Sequence, residues 1–183
     1  MTDATFEEGQ ERPLRLIARD ADDLQVISAL VQDAVLTGVD LRYDAQQRRF
    51  SLLLNRFRWE DRPKAEARGT GFERARAILD FADVRTVRHQ GLSERDADTV
   101  LSLLALRWEP APDVPDTPAE TDAAAEADAP AETKVPAGPG RILLVFSGDG
   151  AISLDVECLE VQLCDVTRPY VAPSRRAPDH PID

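Results

Sequence analysis

Apolar residues fall along the chain at two spacings, and each spacing predicts a different kind of element. Leu24, Ile27, Leu30, Val31, Ala34 and Val35 recur at intervals of three and four, which places them on one side of a helix of about four turns. Asp20 stands as its N-cap, and Asp22 and Asp23 occupy the first turn, where unpaired N–H groups favour carboxylates. Gly38 is its natural stop. The other apolar runs are short and bounded by turn residues, as strands are. They cover 14–19, 39–43, 50–57, 75–81, 84–90, 99–108, 141–147 and 151–156. In the third of these, Phe50, Leu52 and Leu54 share one face, and Ser51, Leu53 and Asn55 share the other. Polar DAQQRR links the second and third as a hairpin, and Gly148-Asp149-Gly150 links the last two. In 157–166 the fourfold spacing of Leu159 with Leu163, and of Glu160 with Cys164, predicts a short C-terminal helix.

This patterning stops between residues 110 and 140. That stretch holds seven prolines and no aromatic residue, and its seven acids face one base, Lys134. It cannot bury enough apolar surface to offset the entropy of ordering, so a disordered linker is expected. The layout that follows is a disordered tail over 1–12, the main part of one domain over 13–109, the linker over 110–140, a completing piece over 141–171 and a flexible tail over 172–183. The completing piece is too short to fold alone and must pack on the main part. The expected fold class is α+β: a mostly antiparallel sheet with one long N-terminal helix and a short C-terminal helix, interrupted by the acidic linker. Residues 52–60 and 101–109 align without gaps and both end in Arg-Trp-Glu, which raises the question of a duplicated strand–loop–strand unit.

Charge narrows the partners. The net charge of −12 repels the chain as a whole from nucleic acid and anionic membrane. No apolar run approaches the roughly 18 residues that span a bilayer, and the polar, acidic start lacks the pattern of a signal peptide. A cytoplasmic location is expected, with Cys158 and Cys164 as free thiols.

The sequence carries no standard catalytic or metal-binding motif. His89 and His180 share no standard ligand spacing with the cysteines, so neither a metal nor a cofactor is expected. The glycines at 69–71 and 148–150 fit turns and no phosphate loop. No nucleophile elbow is present, and no catalytic residue is assigned. Between residues 42 and 88, however, twelve bases face seven acids, and Phe57 and Trp59 interleave with Arg56 and Arg58. Arginine beside aromatic rings suits a protein interface, and also a single RNA strand held by stacking and phosphate contact.

Four blocks carry a family resemblance: LQVISALVQDAVL (24–36), RFSLLLNRFRWE (49–60), VLSLLALRWEP (100–110) and ISLDVECLEVQLCDV (152–166). Together, and in this order, they resemble the bacterial, mainly alphaproteobacterial, domain of unknown function 2948 family. The resemblance covers nearly all of 13–171 and implies no catalytic residues, because the family has no established activity.

The reading is a non-catalytic protein-interaction or accessory module, with an unidentified protein partner bound through Arg56, Arg58 and Trp59, and Trp108 buried. The alternatives are RNA binding through the 42–88 basic face, and a small enzyme whose site assembles around Asp155, Glu157 or His89.

Overall fold

The computed structural model describes residues 13–61, 67, 72–92, 98–112 and 137–172. The chain opens with β1 (Arg15–Ala18) and α1 (Ala21–Val31). Asp20 caps the helix as expected, accepting the Asp23 N–H at 2.8 Å. Leu24, Ile27 and Val31 form its buried stripe. The helix is shorter than its apolar spacing predicts. Asp33 takes a left-handed backbone (φ 60°) and its N–H donates to Leu103 O at 2.8 Å. Ala34 and Val35 therefore leave the helix and begin β2 (Ala34–Thr37). Gly38 does not stop a helix but starts a 3-10 turn, Gly38–Asp40. β3 (Leu41–Asp44) and β4 (Arg49–Phe57) form the expected hairpin. β5 (Glu73–Phe81), β6 (Val84–Gln90), β7 (Val100–Pro110), β8 (Gly140–Phe146) and β9 (Ala151–Val156) lie close to their predicted places.

The fold class needs one correction. The sheet is mostly antiparallel, but the predicted short C-terminal helix does not exist. Residues in that stretch form β10 (Val161–Asp165), followed by β11 (Tyr170–Val171). Val161, Leu163 and Asp165 are buried and alternate with half-buried Gln162 and Cys164. A spacing of four is two strand periods as well as one helical turn, so Leu159 and Leu163 could not separate the two.

Among the described residues the sheet order is β1-β10-β5-β4-β2-β7-β8-β9-β6, with β11 beside β5 and β3 beside β4. Two residues, Ala82 and Asp83, join β5 to β6, yet these strands lie far apart in that order. The sheet must therefore curl back on itself. One core results, shared by Leu52, Leu79 and Leu163 from one half and Leu103, Leu144 and Leu154 from the other. α1 packs on β7, β1 and β4, and the Leu106 N–H donates to Ser28 Oγ across that contact at 2.9 Å.

The connectivity repeats. β3-β4-β5 form a meander and then pass through a corner to β6, which pairs with β9. β7-β8-β9 form a second meander and then pass through a corner to β10, which pairs with β5. Val84, first in β6, lies opposite Val156, last in β9; Val161, first in β10, lies opposite Phe81, last in β5. The corners bond to each other, Ala82 N to Glu160 O and Glu157 N to Asp83 O, both at 3.1 Å. The two Arg-Trp-Glu strands hold different places in this repeat, β4 in the middle of its meander and β7 at the start.

The expected 1–12 tail, most of the linker (113–136) and the tail from 173 onward lie outside the described residues. The ends of the linker belong to the ladder. Pro110 pairs with Gly140, and Ala111 N donates to Pro139 O at 2.9 Å. Ala172, expected in the flexible tail, is buried and donates from its N–H to Phe72 O at 2.9 Å.

Candidate binding face and cleft

The three residues singled out in the sequence do come together, but they turn inward. Arg56 follows Phe50, Leu52 and Leu54 on the buried face of β4 and is fully buried. Its Nε and Nη2 donate to Asp165 Oδ1 and Oδ2 at 2.7 and 2.8 Å. Its Nη1 and Nη2 donate to Glu60 Oε2 and Oε1 at 3.0 and 2.6 Å. Burial acts to lower the Arg56 pKa, but these two carboxylates more than reverse that and hold it above the ordinary arginine value. Arg58 is also buried and pairs with Asp61 at 2.6 Å and Glu73 at 3.0 Å. Trp59 is half-buried, with its ring 4.5 Å from that of Phe57 and its Nε1 donating to Gln32 O at 3.0 Å. Between them the two guanidiniums hold the end of β4 to β10, to β5 and to the turn that follows β4. Trp108, expected to be buried, is partly so and packs against the core.

Most of the other described bases between 42 and 88 are likewise paired. Arg48 and Arg85 reach Glu157, Arg49 reaches Asp80, and Arg88 reaches Asp155. Arg62, Lys64 and Arg68 lie outside the described residues. Asp155 and Glu157 are thus ion-pair partners, and Cys158 donates to Asp83 Oδ2 at 3.2 Å. His89 is exposed on β6. Among the described residues no group of three or more His, Cys, Asp or Glu is placed to hold a metal, and no helix is long and apolar enough to cross a membrane.

The outward face of β1, β10, β5 and β4 has a different character. Strand register lines its residues up in rows. One row is Arg15, Cys164, Ile78 and Leu53; the next is Ile17, Gln162, Asp80, Ser51 and Arg42; a third is Arg76, Asn55 and Val35. Ile17 is 49% exposed and Ile78 39%. Asp80, the acid of these rows, is taken up by Arg49 and by Ser51 Oγ at 2.6 Å. No described carboxylate pairs with Arg15, Arg42 or Arg76, so this face presents aliphatic side chains inside a ring of arginines.

A cleft opens at the edge of the same face. Leu41 lies opposite Leu52, but Val35 lies opposite Asn55. Three residues more separate the first partners on the β2–β3 side than a continuous ladder allows, and these form the Gly38–Asp40 turn. Asp40 Oδ2 fixes that turn by accepting Thr37 N–H at 2.8 Å and Thr37 Oγ1 at 2.7 Å. Lifted off β4, the turn leaves a cleft of about 410 Å³ over Leu53 and Leu54, rimmed by Asp40, Asn55, Arg76 and Tyr170. Asn55 Oδ1 is buried there without a hydrogen-bond partner. Sequence reasoning passed over Asn55, Arg76 and Tyr170. The signal was Asn55 closing the apolar run 52–54 in mid-strand.

Residues 14–180 match the family described as "Protein of unknown function (DUF2948)". No curated protein and no solved structure matches the chain.

Proposed function

The chain belongs to the DUF2948 family, whose description names no activity, and we propose from its geometry that it is a non-catalytic, cytoplasmic protein-interaction module. Its docking face is the outer side of β1, β10, β5 and β4. The observation that carries this reading is the exposed Ile78 at the centre of that face, with Ile17 and Leu53 nearby and, around it, Arg15, Arg42 and Arg76, with which no described carboxylate pairs. An aliphatic centre inside a polar rim is the anatomy of a protein interface. The rim is positive, so the fitting partner presents acidic side chains around an apolar residue. RNA would need several aromatic rings across this face to stack its bases, but the described face offers Tyr170 at its edge, while Phe57 is buried and half-buried Trp59 packs on it. The free thiols Cys158 and Cys164 support the cytoplasmic location.

Capture from native lysate, with and without RNase, tests the reading with three baits: the wild type, Ile78→Asp and Arg76→Glu. A stoichiometric protein held by the wild type and lost by both variants, while the variants keep the wild-type circular dichroism, supports it. A protein captured equally by all three overturns the placement, and capture abolished by RNase overturns the class in favour of RNA.

A further inference from the structure

We propose that the cleft between β2 and β4 is a binding site for a small aliphatic amino acid, or a carboxylate of that size bearing an N–H donor. Its volume, about 410 Å³, falls in the range of about 300–1,000 Å³ typical of small-molecule sites. Three chemical demands meet in it. The Arg76 guanidinium has no described carboxylate partner and the Tyr170 hydroxyl no described hydrogen-bond partner, so the cleft offers two donors for one anionic group. A carboxylate fits the planar fork of arginine. Asn55 Oδ1 is buried and unpartnered, and leaving such an acceptor unmet is unfavourable until a donor arrives. Asp40 spends one oxygen, Oδ2, on both Thr37 donors, which leaves Oδ1 as a second, charged acceptor and favours an ammonium over a neutral amide. Beside these polar groups the lining is aliphatic: Val35, Leu36 and Leu53. Asn55 stands opposite Arg76 in the ladder, so a carboxylate on Arg76 and an ammonium on Asn55 can share one carbon whose branched hydrocarbon lies over the aliphatic lining, as in leucine or a molecule of its class.

The site is also a built feature of the fold. The turn that opens it is locked by its own cap, so the cleft exists before any ligand binds and little ordering entropy is lost on binding. This inference does not rest on the docking reading. The isolated chain suffices for the test, and failure of one leaves the other standing.

Isothermal titration of the full chain with three probes decides it: L-leucine, 4-methylpentanoate (no ammonium) and 3-methylbutylamine (no carboxylate). Leucine is expected to bind at least about tenfold more tightly than either truncated probe. Arg76→Met is expected to weaken leucine by a further factor of about ten or more. Asn55→Leu should abolish leucine binding while raising the melting temperature, because it removes the unpartnered acceptor and fills the cleft. That opposition separates a binding role from a structural one. Absence of heat from all three probes at ~10 mM, equal affinity for all three, or leucine binding unchanged in both variants would each overturn the assignment.

Discussion

Arg56 and Asp165 meet across a strand that lies between them. Arg56 belongs to β4 and Asp165 to β10, and both strands pair with β5. The Nε–Oδ1 and Nη2–Oδ2 distances are 2.7 and 2.8 Å. On β5, Ala75 lies opposite Arg56, and Ala77 lies opposite Asp165. Both alanines are fully buried, and their small side chains leave the guanidinium a path over the strand. Asp165 in turn accepts Leu14 N–H at 3.2 Å. Asp165 thus links Arg56 of β4 to the first residues of the described chain.

Removing this arginine strands a buried charge. Arg56→Met leaves Asp165 without its cation, and breaking such a pair from one side costs about 3–5 kcal/mol. The double variant Arg56→Met/Asp165→Leu removes both charges and is expected to recover most of that loss. Urea unfolding of the two single variants and the double variant measures it. Losses that simply added in the double variant would show that the two groups are not coupled.

Glu60 gives the same cluster a pH signature. Burial pushes its carboxyl up, but the hydrogen bonds from Arg56 and its own backbone, with the charges of Arg56 and Arg58, outweigh burial and hold it below its ordinary value of 4.5. A carboxyl depressed in the folded state stabilises the fold above its unfolded pKa, and that stabilisation is lost as pH falls through the folded value. Melting temperature followed from neutral pH into acid should therefore fall more steeply below about 4.5 in the wild type than in Glu60→Gln. The two curves should converge at the acid end. Curves that stay parallel would remove Glu60 from the acid response.

How much of this was legible in the sequence depends on how each residue declared itself. Asp20 did so through local chemistry, since an N-cap needs only the N–H groups three residues away. Arg56 was legible by period: Phe50, Leu52 and Leu54 alternate inward and Arg56 is next in that series. Its charge argued for solvent, and the carboxylate that reverses that argument lies 109 residues away. No local pattern contains such a partner. β10 failed for a different reason, because a spacing of four is shared by strand and helix. Asn55 was placed on the face opposite Phe50, Leu52 and Leu54, but the cleft beside it comes from three residues lifted out of a neighbouring strand, a matter of register between segments.

The segment 113–136 should be replaceable by a short turn. Pro110 and Gly140 are paired in the ladder and Ala111 N bonds Pro139 O at 2.9 Å, so the flanking strands already stand at hairpin distance. Closing a shorter loop costs less entropy, with about 0.6 kcal/mol gained per halving of length. A variant carrying a four-residue Asn-Gly-type turn is expected to unfold at slightly higher urea concentration, by about 1–2 kcal/mol in stability. A variant that failed to fold would show that the segment contributes to the core.

Cys158 tests whether the corner between β9 and β10 holds a nucleophile. Its Sγ donates to Asp83 Oδ2 at 3.2 Å, and Asp83 sits in the facing corner with a left-handed backbone (φ 55°). Burial first, then the hydrogen bond and negative charge of Asp83, push the thiol up to about 11. At pH 8 that leaves about one thiol in a thousand ionised, against about a quarter for an unperturbed cysteine. Iodoacetamide followed by mass spectrometry should therefore modify Cys164 well before Cys158. Asp83→Asn keeps a residue that tolerates the left-handed backbone but removes the charge, and should speed modification of Cys158. If Cys158 reacted as fast as Cys164 in the wild type, an activated thiol would be present and the enzyme alternative would gain a candidate beyond Asp155, Glu157 and His89. A slow Cys158 that quickens in Asp83→Asn makes this thiol part of the corner packing and denies it to covalent chemistry.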